Sequence, residues 1–287
     1  MVHSLPQRAA PGSRLKYVWR ALGYFVALAV VNTLAYSVVG DGLVLIATAW
    51  LSELAESLVY LVGVVALTWA FCRFADRASL RSLGLQAHAW LVKLSAGWGL
   101  GTALQLAILA VLWLAGWLTV ERSGSQPLDL TVAVLSWLVI SFNEELAFRG
   151  YILQRLARAW GLPAAVVISS LLFVMVHVLN PNVQPLAMVS LFVAGLLLAT
   201  AYLVSRSLWL PIGLHIGWNL TEVILLGFPG SGSPDPALVR SVVSGPELLT
   251  GGAFGPEGGL VGLAATAMGI VILLIGYRIG RQRKNQV

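Results

Sequence analysis

Residues 129–160 read DLTVAVLSWLVISFNEELAFRGYILQRLARAW, and how this stretch is read decides the fold. From Leu130 to Ile140 it holds no charged residue, and apolar side chains resume after Arg149 with Tyr151, Ile152, Leu153 and Leu156 until Gly161 and Pro163 end the run. Crossing a hydrocarbon layer of about 30 Å takes ~20 apolar residues in a helix, so 129–153 is long enough to span. Inside it sit Glu144, Glu145 and Arg149. Charge in the middle of a span is costly, which makes these three residues functional candidates from the outset.

Comparable apolar runs lie outward of this one, at 20–39, 57–74, 90–119, 163–179, 185–204, 208–228 and 259–277. Composition agrees: 58% of the 287 residues are hydrophobic and 10% are charged, against roughly 45–50% and 25% in soluble domains. One water-soluble core cannot hide that excess. The expected fold class is therefore all-α, a single membrane domain over 1–287: a polytopic helical bundle of about eight transmembrane helices. The run at 20–39 follows Arg8, Arg14, Lys16 and Arg20, is long, and has no A-x-A-like cleavage site after it, so it reads as a retained first span behind a basic cytoplasmic N-terminus at 1–19. The Gly-, Pro- and Ser-rich stretch 229–258 reads as a long outer loop. The segment 75–89, polar on one side with Leu80, Leu83 and Leu85 on the other, reads as an interfacial helix.

The net charge of +6 raises the question of nucleic acid, but the basic residues sit between apolar runs rather than on one soluble face. They sort by side instead. With the N-terminus inside, 16 of the 18 Lys and Arg residues fall on inner segments, leaving Arg122 and Arg240 outside. That asymmetry is what the positive-inside rule demands, and eight spans return the C-terminus to the same side, so both termini are expected in the cytoplasm. The acids Asp41, Glu53, Glu56, Glu121, Asp129, Asp235, Glu247 and Glu257 fall on or near the outer side. Cys72 is the sole cysteine, which excludes a disulfide framework and a cysteine zinc site.

Ionisable and amide groups recur on three deep runs. In the fourth, Glu145 and Arg149 are four apart with the acid first, the favourable order for a helical ion pair, while Glu144 points about 100° away and lacks that partner. In the fifth, His177 follows Phe173 by four residues, placing an aromatic ring one turn away on the same face. Glu144 lies 17 residues before Gly161 and His177 lies 14 after Pro163; at ~1.5 Å per residue the two stand ~25 and ~21 Å from the turn of an antiparallel hairpin, nearly level. In the seventh, His215 and Asn219 share a face, with Gly213 and Gly217 permitting close helix approach. Glu222, one turn further, lines the outer part of a cavity or meets the headgroups.

This set offers carboxylates, imidazoles, an amide and a guanidinium, with no membrane-embedded serine or cysteine nucleophile. Neither histidine begins an H-E-x-x-H string, the deep acids are glutamates rather than paired aspartates, and the Gly-x-Ser-like string at 230–233 belongs to the outer loop, away from both deep histidines. Two chemistries remain open. Water is activated by a glutamate with histidine help while His215 and Asn219 donate to an oxyanion, or Glu144, His177 and His215 hold a divalent metal such as zinc that activates the water.

Glu144-Glu145-x-x-x-Arg149, Phe173-x-x-x-His177 and His215-x-x-x-Asn219, in that order on successive deep helices, resemble the three motifs of the CAAX-protease and bacteriocin-processing-enzyme family of intramembrane endopeptidases, which includes the abortive-infection proteins. The resemblance covers about residues 130–225 and departs from the pattern at no motif position. It implies a helical bundle with a cavity between helices, with catalytic Glu144 and His177 activating water, catalytic His215 and Asn219 stabilising the oxyanion, and Glu145, Arg149 and Phe173 supporting the site. Eukaryotic members trim prenylated CAAX proteins; the small-residue-rich composition here points to a bacterial inner membrane, with lipid around the chain and a peptide or membrane protein as substrate. A non-catalytic scaffold or bacteriocin-immunity protein of the same fold would use the polar cluster as glue and tolerate Glu144→Gln. A proton-coupled transporter would use it as a relay, but matched repeated halves, its usual mark, are absent from the sequence.

Overall fold

The computed structural model describes residues 7–43 and 49–284. Each apolar run of the sequence lies on a helix: α1 (Arg14–Leu43), α2 (Ala49–Ala70), α3 (Trp90–Leu114), α4 (Pro127–Glu145) continuing through a π-helical turn (Leu146–Ile152) into α5 (Leu153–Trp160), α6 (Leu162–His177), α7 (Pro185–Ser205), α8 (Trp209–Asn219) and, after a short α9 (Glu247–Thr250), α10 (Leu260–Lys284). Proline starts several of them. Pro127 and Pro185 open α4 and α7 and Pro163 stands in the first turn of α6, where a missing N–H is no loss. Gly161, at φ +91°, separates α5 from α6 and folds them into a hairpin.

Among the described residues six helices are long and apolar enough to cross a membrane: Pro11–Ser37, Leu54–Asp76, Trp90–Leu114, Pro127–Trp160, Pro185–Ser205 and Leu260–Gln282. The fifth and seventh runs are helical but shorter: α6 has 16 residues and α8 has 11 before it widens into a π-helical turn, Leu220–Leu225. The outermost helices are apolar yet little covered. Leu260–Gln282 has a mean hydropathy of 2.3 with 17% of its window buried; in water such a face would aggregate, whereas against lipid tails it is satisfied.

Two packing features fix the helices that carry polar residues. The α3 and α8 backbones meet face to face, and a Cβ on Gly213 would lie 2.0 Å from the Leu94 carbonyl oxygen, one on Gly217 2.2 Å from that of Trp98. Only glycine fits at that contact, as expected of small residues at membrane helix crossings. At one end of the bundle Asp76 ties three segments: Oδ1 accepts from Arg20 at 2.8 Å, and Oδ2 accepts from Arg155 Nε at 2.9 Å and from the Tyr151 hydroxyl at 2.8 Å.

Two sequence expectations are corrected here. The segment 75–89 is not a helix along its length; the chain leaves α2 through a π turn, takes left-handed φ at Arg77, and makes only the short 3-10 turn Leu80–Leu83, whose Leu83 is fully buried. The third run stops at Leu114, because the chain turns and forms strand β1 (Leu118–Arg122). The stretch 229–258, read from the sequence only as a long outer loop, is folded: its strand β2 (Val239–Val243) pairs antiparallel with β1, Leu118 opposite Val243 and Glu121 opposite Arg240.

Candidate active site

The site begins where α4 loosens. Glu144 and Glu145 are the last residues of α4, and the π-helical turn that follows carries Arg149. A second π turn follows Asn219 directly on the helix that crosses over it. Such wide turns are uncommon and gather at functional sites, because the extra residue re-aims the side chains around it. The Glu145–Arg149 spacing survives the loosening: Arg149 Nη1 donates to Glu145 Oε1 at 2.7 Å, with both side chains almost wholly buried. Arg149 Nη2 reaches the Gly195 carbonyl of α7 at 3.3 Å, and the guanidinium lies 4.6 Å from the centroid of the Phe173 ring. Phe173 is thus held between a cation and an imidazole, its centroid 4.6 Å from that of His177.

The hydrogen bonds of the two histidines define their protons. His177 Nδ1 lies 2.7 Å from the Phe173 carbonyl oxygen, which can only accept, so Nδ1 carries the proton and Nε2 is left as the lone-pair nitrogen when the ring is neutral. His215 Nδ1 donates to the same Glu145 oxygen that holds Arg149, at 3.0 Å. Its Nε2 faces Glu144 Oε2 at 3.7 Å, while His177 Nε2 faces Glu144 Oε1 at 3.9 Å. Those two separations exceed a direct hydrogen bond. Asn219 Nδ2 donates to Ser141 Oγ at 3.2 Å, and that hydroxyl in turn donates to the Trp137 carbonyl at 2.8 Å; one amide hydrogen of Asn219 is thereby committed and the other is free to point elsewhere.

Glu144, Phe173, His177, His215 and Asn219, from α4, α6 and α8, line one cavity. Glu145 and Arg149 stand behind its wall. The near-level depth computed for Glu144 and His177 is matched by their 3.9 Å approach.

Two further wall residues had no sequence signal. Ser231 and Glu257 come from the loop 229–258, which turns inward and joins the same cavity as both histidines; placing the 230–233 string away from them was wrong. The loop is held there by the Asn182 amide donating to the Gly232 carbonyl at 2.9 Å, and by Gly232 at φ +91°, where a Cβ would lie 1.9 Å from the Pro181 oxygen. Glu257 Oε1 accepts from the Ser231 N–H at 2.9 Å and its hydroxyl at 3.1 Å, and Oε2 accepts from Trp218 Nε1 at 3.3 Å. Burial pushes the Glu257 carboxyl above its ordinary value, opposed by Ser231, His177 and Trp218. Glu222 meets no headgroup: it is 1% exposed and sits behind Trp218 and Glu257.

Among the described residues no group of three His, Cys, Asp or Glu side chains is gathered closely enough to hold a metal ion. Glu144, His177 and His215 face one another as a carboxylate between two imidazoles, not as a ligand set.

Residues 126–221 match the family model described as Type II CAAX prenyl endopeptidase Rce1-like. No curated protein and no solved structure matches the chain. The matched segment runs from the residue before α4 to just past Asn219 and contains every motif residue quoted above. The family read from three short motifs, that of the CAAX endopeptidases, is the family whose model this part of the chain matches.

Proposed function

We propose that the chain is an intramembrane endopeptidase that hydrolyses a peptide bond of a membrane-associated peptide or protein with water activated by Glu144 and His177. The observation that carries this reading is the convergence of Glu144, His177, His215 and Asn219 from three helices on one cavity. Glu144 and the Nε2 of His177 are both acceptors, so together they take the two hydrogens of a water and turn its lone pair toward a substrate carbonyl. Glu144 removes one proton as the oxygen attacks. The His215 ring, its Nδ1–H bonded to Glu145, offers Nε2–H to the developing oxyanion in its doubly protonated form; the free N–H of Asn219 is the second donor. Collapse of the tetrahedral intermediate breaks the C–N bond, and Glu144 returns its proton to the leaving amine. Glu145 plays the part of a buried acid that orients a catalytic imidazole, with Arg149 fixing Glu145 in turn.

The topology that goes with this reading has eight crossings and both termini on the cytoplasmic side, in a bacterial inner membrane. Its support is that Arg20, Asp76 and Arg155, all at expected inner ends, bond to one another, while Arg122 and Arg240, the two expected outer cations, lie on paired strands.

The test is purified protein in proteoliposomes with a library of membrane-tethered peptides, wild type beside Glu144→Ala and His177→Ala. The reading expects cleavage by the wild type alone; cleavage that survives both substitutions overturns it. A chelator is expected to leave the rate unchanged, and loss restored by zinc would return the metal route.

A further inference from the structure

The mechanism leaves one pair of acids unused, the buried Glu222 and the partly exposed Glu257. Glu222 and Glu257 act on each other at the loop side of the cavity, Glu257 on its wall and Glu222 behind it. The His177 ring acts on Glu257 when protonated. Glu145 is neutralised by Arg149, and Glu144 stands between two imidazoles, but among the described residues neither Glu222 nor Glu257 forms an ion pair with any Lys or Arg. A buried carboxylate beside a second, partly exposed one does not readily stay ionised without a counter-charge, so the pair shares a proton or receives a cation from outside.

Three features favour a cation. The Glu257 carboxylate is arranged as an anion, accepting three hydrogen bonds. It lies on the wall of the cavity that holds Glu144 and His177, within reach of whatever occupies that space. Behind it are polar atoms short of well-formed hydrogen bonds: Glu222 Oε1 and both polar atoms of the Gln105 amide, which is 0% exposed on α3, have no partner at hydrogen-bond geometry, although Trp218, Gln105 and the Glu257 backbone all act on the Glu222 carboxyl. Buried polar atoms are paired in the great majority of cases, so unpartnered ones gathered behind a wall carboxylate mark a place where a donor is expected. An ammonium or guanidinium supplies several donors and the missing charge at once.

We propose that Glu257, backed by Glu222 and Gln105, forms a subsite for a cationic group of the substrate, a lysine or arginine side chain or a free N-terminal ammonium, beside the water-activating pair Glu144 and His177. The inference rests on the endopeptidase reading and adds a preference to it. Leu191, Leu197 and Leu198 on the same wall take apolar side chains, so the favoured peptide carries one cation within an apolar stretch. The basic group anchors to the folded outer loop while the scissile carbonyl meets the helical residues.

The experiment uses one lipid-anchored peptide sequence in liposomes, with lysine or norleucine scanned through the positions around the cleaved bond and each made with a free or an acetylated N-terminus. Binding of the same labelled peptides to the full chain in nanodiscs is measured alongside. For the wild type, lysine at one position is expected to raise both affinity and kcat/KM over norleucine about tenfold or more, the scale of one charge-assisted hydrogen bond. A preference that moves to the unacetylated peptides instead identifies the N-terminal amine as the cation. Glu257→Gln and Glu222→Gln are each expected to bring the lysine-to-norleucine ratio toward one, and Glu257→Asp to restore part of it, with thermal unfolding reporting whether each variant is folded. Equal binding of charged and neutral peptides by the wild type, or a lysine preference that persists in both folded glutamine variants, overturns the subsite and leaves the two acids sharing a proton. If no peptide is cut but the binding preference is present and lost in the variants, the endopeptidase reading fails while the cation subsite stands.

Discussion

At the scale of single residues the two adjacent glutamates have opposite duties, and their substitutions are expected to fail in different ways. Glu144 lines the cavity and bonds directly to neither imidazole, so Glu144→Gln removes a proton acceptor without disturbing packing. Cleavage should fall by about 10²–10⁴, the usual contribution of a general base, while the unfolding temperature in detergent stays where it was. Glu145 is 0% exposed and holds both Arg149 and His215 through one oxygen. Glu145→Ala strands a buried guanidinium, a loss of about 3–5 kcal/mol where a buried pair is broken from one side, and it should appear first as a lower unfolding temperature. Asn219→Ala is expected to reduce kcat by about 10²–10³ with KM little changed, as for removal of one oxyanion donor. Equal losses in kcat and stability would instead make Asn219 a packing residue acting through Ser141.

At the scale of elements the contact of α3 with α8 sets the position of two of the four residues to which the proposed mechanism gives the chemistry, since His215 and Asn219 ride on α8. That contact depends on backbones touching. In Gly217→Leu the new Cβ starts 2.2 Å from the Trp98 carbonyl oxygen, and no rotamer relieves a clash that begins at Cβ. The helices must separate, at a cost of 1–3 kcal/mol or about that for an overfilled interface, and His215 moves away from Glu144. Activity should be lost more completely than stability. Gly99, on α3 but facing open space, has nothing within 4 Å of a built Cβ; Gly99→Ala is expected to leave activity intact and to raise helix stability by about 0.5–1 kcal/mol. If both glycines tolerate a side chain equally, the α3–α8 contact does not position the site. The same packing explains the short α8: its turns are spent approaching α3 and aiming polar groups inward, and the π turn after Asn219 lets the chain leave that contact toward the folded loop.

At the scale of the whole molecule, periodic features were legible in the sequence and clamped ones were not. Glu145 with Arg149, Phe173 with His177 and His215 with Asn219 are each four apart, and a helix turns that spacing into shared faces without further information. The hairpin through Gly161 carried depth as well, because rise per residue is fixed. Ser231 and Glu257 lie 26 positions apart in a Gly- and Pro-rich stretch with no period; tertiary clamps at Asn182 and Gly232 decide their depth. The interfacial helix expected at 75–89 failed for a related reason: Leu83 is drawn into the core and the Gln154 amide donates to its carbonyl, which amphipathic spacing alone does not disclose. Sidedness is the remaining whole-molecule question, and it turns on the two short helices. At ~1.5 Å per residue the 16 residues of α6 cover ~24 Å, less than a bilayer core of about 30 Å, so length alone does not make it cross; the proposed topology has α6 and α8 cross on the distribution of Lys and Arg. Single cysteines in a Cys72→Ala background decide each crossing separately, and the native thiol, buried at 1% exposure, adds little labelling even if retained. Arg158→Cys and Leu179→Cys flank α6, and Arg206→Cys and Arg240→Cys flank α8, all four at exposed positions. In intact cells a membrane-impermeant maleimide is expected to label 179 and 240 and to reach 158 and 206 only after permeabilisation. Labelling of both members of a pair from one side would remove that crossing. Losing only one of the two would also carry the C-terminal Arg-Gln-Arg-Lys segment to the outer face, against the charge asymmetry on which the proposed topology rests.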